Sequence, residues 1–262
     1  MRPFLAFIIS CFLAPALVGQ VIVHPKAHAH NDYEHATPLF EALAAGFTSI
    51  EADVHLVNGE LYVSHNAPRL GTAKTLKELY LGPLQKRIKE NGGQVYPNYA
   101  PPIYLMIDIK TESEATYQVL KAQLADYQEI LTHWNDGTVH QGALLVFLSG
   151  NRPVETVMKE KMRWVAIDGR PDELDKDYPT ELMPVISDRY GKILGWKGEG
   201  PIPEKELFKL QALAQQANRQ GKKLRFWASP ENEAVWQVLI ANGIGLIGTD
   251  QLGRLSKFLA KP

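Results

Sequence analysis

A chain of 262 residues, 45% of them apolar, has the length and hydrophobic content for one large domain with a sizeable core. Lysine and arginine total 28 against 29 acidic residues, a formal net charge of −1, and no basic stripe runs along the chain. That excludes the electrostatic footprint of a nucleic-acid binder.

Residues 1–19 stand apart. Arg2 precedes an apolar run from Phe4 to Leu13, too short to span a bilayer, and small residues follow up to Gly19. This reads as a secretory signal peptide, so the expected location is secreted or periplasmic. The only cysteine, Cys11, lies inside that segment. The remaining domain, residues 20–262, is therefore expected to lack disulfides, thiolate metal sites and a cysteine nucleophile. It is also expected to lack a transmembrane segment and to be a monomer.

From there on, short β-branched or apolar runs alternate with longer amphipathic ones. The predicted strands are Lys26–His30, Thr48–Val54, Tyr104–Lys110, Ala143–Leu148, Trp164–Asp168, Met183–Ser187, Leu224–Ala228 and Gly245–Gly248. Predicted helices fall at Pro38–Ala45, Leu76–Glu90, Glu114–His133, Val154–Lys161, Glu204–Gln220, Asn232–Asn242 and Leu252–Leu259. The gap Arg170–Glu181 carries only a weak helical signal. Leu61–His65 reads as an extra strand turning back through Asn58-Gly59, a hairpin signal. Eight strands alternating with helices predict an α/β fold of the (β/α)8 TIM-barrel type.

In such a barrel the C-terminal strand ends form the mouth where chemistry occurs. His30, Glu51 and Asp53, Asp108 and Lys110, Asp168, Ser187-Asp188, Trp227 and Thr249-Asp250 all fall at those ends. Glu51 and Asp53 are two apart on a buried run and share one face, so two carboxylates aimed at a core need a cation. Asp108 and Lys110 share a face by the same period. They form either an internal ion pair or a third metal ligand beside a cation left for an anionic oxygen. Three carboxylates without cysteine suit Mg²⁺ or Ca²⁺ better than Zn²⁺, as one divalent cation. His28 and His30 both face inward, and His65 returns from the hairpin; two histidines bracketing a phosphate can serve as base and acid. Trp227 is placed to stack on a headgroup or choline-like cation. The glycine-bearing stretch Asp188–Gly200 is a candidate lid or substrate-selecting loop.

The stretches Ala29-His30, Ala42–Gly46, Ile50-Glu51-Ala52-Asp53-Val54, Gly59-Glu60-Leu61 and Val63-Ser64-His65 resemble the PLC-like phosphodiesterases. That superfamily holds glycerophosphodiester phosphodiesterases, phosphatidylinositol-specific phospholipases C and the sphingomyelinase D group. Ile107–Lys110, Arg225-Phe226-Trp227, Asn242-Gly243-Ile244 and Gly248-Thr249-Asp250 continue the resemblance more weakly. It is nearest to the branch similar to fungal altered inheritance of mitochondria protein 6. The resemblance implies a phosphoric diester hydrolase with a small-molecule or lipid phosphodiester as substrate. His30 and His65 would be its acid/base pair, Glu51, Asp53 and Asp108 its cation ligands, and Lys110 its phosphate contact. Two departures bear on substrate. His30-Asn31-Asp32 stands where the pattern has His-Arg-Gly, so an arginine for phosphate is missing there. Asp108 replaces the Glu of the glycerophosphodiesterases, as in the venom enzymes.

Two other classes remain open. His28-Ala29-His30 also suits a metal-dependent amidohydrolase or PHP-type hydrolase, although no histidine follows at the fifth or sixth strand end. The barrel could also serve as a non-catalytic secreted binding protein.

Overall fold

The computed structural model describes residues 21–261, so residues 1–19, read above as a signal peptide, lie outside it. Eight parallel strands close on themselves: β1 (His24–Ala29), β2 (Phe47–Val57), β3 (Ile103–Ile109), β4 (Leu144–Gly150), β5 (Val165–Gly169), β6 (Val185–Arg189), β7 (Lys223–Trp227) and β8 (Leu246–Thr249). They pair in that order, and β1 pairs with both β2 and β8, which removes any free barrel edge. The predicted (β/α)8 barrel is therefore the fold, with strand boundaries within two or three residues of expectation.

Each strand divides its residues by parity between barrel interior and helical layer. Met106, Leu145, Phe147, Ala166, Val185 and Leu246 fill the interior. Leu105, Ile107, Val146, Leu148, Val165, Ile167, Leu224 and Phe226 belong to the larger core between strands and helices. That outer layer consists of α1 (Phe40–Ala44), α2 (Gly82–Glu90), α3 (Ser113–Ala125), α4 (Val154–Lys159), α5 (Tyr190–Ile193), α6 (Glu204–Arg219), α7 (Glu233–Ala241) and α8 (Leu252–Leu259). Between β5 and β6 there is only a 3₁₀ turn, Pro171–Lys176, in keeping with the weak helical signal there. No described helix is long and apolar enough to cross a membrane.

Two differences from expectation have local causes. β2 runs four residues beyond Asp53 because it continues into a hairpin with Glu60–Val63, turning at Asn58 (φ 52°) and Gly59 (φ 82°) as the sequence signals. The third predicted helix, Glu114–His133, stops at Ala125. His133–Asn135 instead pairs with Thr138–His140 across Asp136-Gly137, and with Met162–Arg163. Trp134 of this small sheet packs with the interior residues Met106, Leu145 and Phe147 and seals the barrel at the end opposite the mouth. The Arg163 guanidinium covers the outer face of its ring at 3.7 Å.

Candidate active site

The strand register builds the site. Asp53 on β2 lies level with Asp108 on β3, and Asp108 with Ser149 on β4. Level neighbours in a parallel sheet point the same way, so these polar side chains form a ring at the C-terminal ends, with Glu51 one layer deeper. One oxygen from each of Glu51, Asp53 and Asp108 lies within 4.8 Å of the others. The three predicted ligands are thus brought together.

Gly150 makes room for this arrangement. It follows Ser149 with φ +67°, and a Cβ there would stand 2.1 Å from Asp108 Oδ1 and 2.5 Å from the Ile109 carbonyl oxygen. Only glycine fits both the left-handed backbone and the carboxylate beside it.

The carboxylates are held by an unequal set of donors. Asp53 is fully buried. Its Oδ2 accepts from the Tyr33 hydroxyl at 2.7 Å, from Lys110 Nζ at 2.9 Å and from His65 Nδ1 at 3.0 Å. Its Oδ1 is buried and has no partner. Lys110 also reaches Asp108 Oδ1 at 3.2 Å, so of the two sequence readings the lysine makes the ion pair, between both aspartates. Burial pushes the Asp108 carboxyl up to about 6, with the charges of Asp53 and Glu51 adding to the rise and Lys110 opposing it. Burial would also raise Glu51. The hydrogen bond from His28 and the Arg225 charge more than reverse that, and hold it well below the usual carboxylate range.

His28 and His30 separate by depth. His28 is fully buried, with Nδ1 2.7 Å from Ser49 Oγ and Nε2 3.1 Å from Glu51 Oε2. Burial, followed by the Arg225 charge, lowers its pKa to about 4 against the pull of Glu51, so at neutral pH it is an uncharged donor to that carboxylate. Both ring nitrogens are thereby engaged, and His28 and His30 do not form the exposed pair of an amidohydrolase-like His-x-His. His30 lies just past β1, with Nδ1 2.6 Å from Asp250 Oδ1 beyond β8. His65 follows the hairpin, drawn back to β2 by a bond from the Ser64 amide to the Asp53 carbonyl. Both line one cavity of about 360 Å³ with Glu51, Asp108, Lys110 and Trp227.

Three residues at the site lacked a clear sequence signal. Arg225, 3% exposed, pairs with Glu51 at 3.1 Å; its inward parity between Leu224 and Phe226 was the available hint. Arg170 lines the cavity and donates to Asp168 Oδ2 at 2.9 Å. Asp168 itself is enclosed by Arg170 and the hydroxyls of Ser149 and Ser187, and so orients rather than faces the opening. Tyr33, in the short 3₁₀ turn after His30, bonds Asp53. Arg170 and Arg225 bring guanidinium groups to the mouth although none follows His30. Trp227 is 39% exposed at the rim, with the Arg189 guanidinium 5.7 Å from its ring centre.

Among known proteins, the altered inheritance of mitochondria protein 6 homolog of Arthroderma benhamiae is 27% identical over 91% of this chain and 85% of its own length. Altered inheritance of mitochondria protein 6 of Lachancea thermotolerans is 28% identical over 93% of this chain and 68% of its own. The crystal structure of the glycerophosphodiester phosphodiesterase from Agrobacterium tumefaciens superposes with a TM-score of 0.51 at 12% identity, covering 89% of this chain and 100% of that one. This likeness speaks for the shared barrel. The family described as the AIM6-like phosphodiesterase domain matches residues 18–168, more than half of the sequence. The chain belongs to that family.

Proposed function

We propose that this protein is a divalent-metal-dependent phosphodiester hydrolase acting on a small-molecule or lipid phosphodiester, with His30 and His65 as its base and acid. The observation that carries the reading is the convergence of Glu51, Asp53 and Asp108 within 4.8 Å, in a cavity that both histidines line. The residues fit a hard cation. All donors are oxygens, Asp53 Oδ1 is buried without a partner, and Asp108, its pKa raised first by burial, also feels the charges of Asp53 and Glu51. A bound Mg²⁺ or Ca²⁺ would supply Lewis-acid polarisation of the phosphoryl group and charge neutralisation.

The remaining work falls to the chain. With its Nδ1–H directed at Asp250, His30 keeps Nε2 free to take the proton of the attacking hydroxyl. His65, oriented through Nδ1 by Asp53, carries the proton given to the leaving oxygen. Lys110, Arg170 and Arg225 supply positive charge for the non-bridging oxygens, and Trp227 forms the rim against which the substrate alcohol rests. Where the substrate carries a neighbouring hydroxyl, that hydroxyl attacks and a cyclic phosphate results; otherwise water attacks. The signal-like residues 1–19 support a secreted or periplasmic setting.

The test is a screen of glycerophosphodiesters, lysophospholipids, sphingomyelin and phosphatidylinositol with Mg²⁺ or Ca²⁺, followed by ³¹P NMR, with His30→Ala as the blank. Turnover that needs the ion and His30 is expected. No turnover of any diester, or equal turnover by the blank, refutes the proposal.

A further inference from the structure

A second cavity of about 450 Å³ opens beside the active-site mouth, lined by Arg189, Tyr190, Lys192, Lys197 and the turn residues Ala228 and Pro230. Lys192 lines both cavities, and Arg189 lies against Trp227, whose indole lines the catalytic one. The two spaces are therefore neighbours along a single path leading away from the carboxylates.

Their electrostatics differ. The catalytic cavity mixes acids and bases. The second is lined by three cations and no acid. Asp188, Glu199, Glu206 and Glu231 are close to it in the chain, and none of them lines it. Asp188 pairs with Lys192 Nζ at 2.9 Å, and Glu206 accepts from the backbone amides of Gly195 and Trp196. Arg189 and Lys197 are exposed and have no carboxylate within salt-bridge distance among the described residues. Clustered cations at a concave surface repel one another unless something negative sits between them.

Trp227 narrows the choice of ligand. Its ring already faces the Arg189 guanidinium, so a choline-like ammonium arriving there would displace one cation and meet others. On the basis of the hydrolase reading above, we infer that the groove formed by Arg189, Lys192 and Lys197 seats a second anionic group on the alcohol side of the phosphodiester. The favoured substrate class is a phosphodiester whose alcohol carries a further phosphate or carboxylate, and cationic headgroups are disfavoured.

The experiment compares three diesters that differ at one end: glycerophosphoglycerol, the same compound with a terminal phosphate, and glycerophosphocholine. At low salt kcat/KM should favour the terminal phosphate over the neutral diester by about tenfold, and the gap should narrow as ionic strength rises. Lys197→Glu alters only the second cavity, since Lys197 neither lines the catalytic one nor faces Trp227. It should leave turnover of the neutral diester within about twofold of the parent while cutting the preference to about threefold or less. Turnover of the neutral diester with no preference for the charged one, or a preference untouched by Lys197→Glu, overturns this inference and leaves the hydrolase reading standing. Failure to turn over any diester overturns both.

Discussion

Gly150 offers the sharpest test of the carboxylate cluster, because another glycine in the chain supplies its control. Gly150 and Gly59 both have left-handed backbones, φ +67° and +82°. A Cβ at Gly59 meets nothing within 4 Å, whereas one at Gly150 meets Asp108 Oδ1 at 2.1 Å and backbone at 2.5 Å. Alanine at either site pays the left-handed penalty of about 1–2 kcal/mol. At Gly150 the clash adds an overpacking cost of roughly 1–3 kcal/mol, relieved only by moving Asp108 or bending β4. Gly59→Ala should thus lose about 1–2 kcal/mol and Gly150→Ala about 2–5 kcal/mol in urea unfolding without added metal. The second readout separates ligand geometry from stability. An ion at a hundred times its dissociation constant stabilises the folded state by about 2.7 kcal/mol. The parent and Gly59→Ala should gain equally from Mg²⁺ or Ca²⁺, and Gly150→Ala should gain much less and lose turnover. If Gly150→Ala gains as much from the ion as Gly59→Ala and turns over as fast, then Asp108 is not a ligand in the position described.

His30→Ala and His65→Ala should each slow turnover by about 10²–10⁴, and the double variant should lose little more than the worse single one. His28→Asn should instead lower the unfolding midpoint, since His28 is enclosed between Ser49 and Glu51; an inactive but fully stable His28 variant would reverse the roles of the two histidines. Arg225→Met leaves the buried Glu51 charge without its guanidinium and should cost about 3–5 kcal/mol without metal. Added divalent ion should recover part of that loss, and an identical loss with and without ion would argue against Glu51 as a ligand. Asp32, buried between Asn31 and Tyr33 with Oδ1 unpartnered, has its pKa raised above 3.8 by burial, against bonds from the Leu39 amide and Tyr80 hydroxyl. The folded state then holds its proton longer than the unfolded one, so this group's contribution to stability falls as pH rises above about 4. Asp32→Asn should gain on the parent between pH 4 and pH 7 in urea midpoint, and parallel curves would show that Asp32 does not titrate as described.

Much of the barrel was legible because parity in a buried strand is a strong constraint. Once Glu51, Asp53 and Asp108 sat at strand ends, strand order alone made them neighbours. Parity alone left His28 and His30 undivided and the family resemblance singled out His30, while the Asn58-Gly59 hairpin returned His65 to the same end. What was not legible depends on partners far away in the chain. Trp134 reads as a residue just past a helix ending at His133 until the barrel interior exists for it to close. Arg225 is 174 residues from Glu51, and Gly150 shows its purpose only when Asp108 of the neighbouring strand stands beside it.

Lys110 shows the same limit and also how the site can reconcile a lysine with a metal ion. The two-residue spacing put Lys110 on the face of Asp108, but left open whether it pairs internally or serves an anion. It pairs with both aspartates, which by itself would suggest competition with a divalent ion for the same oxygens. The distribution of donors argues otherwise. Tyr33, Lys110 and His65 all converge on Asp53 Oδ2, while Oδ1 is buried without a partner. Three donors on one oxygen fix the carboxylate plane and leave the other oxygen to a ligand. An ion taken up at Oδ1 therefore need not expel Lys110 from Asp53. The ammonium can stay beside the site with positive charge for a phosphate oxygen, so the ion pair and the phosphate contact, alternatives in the sequence, are compatible in the fold.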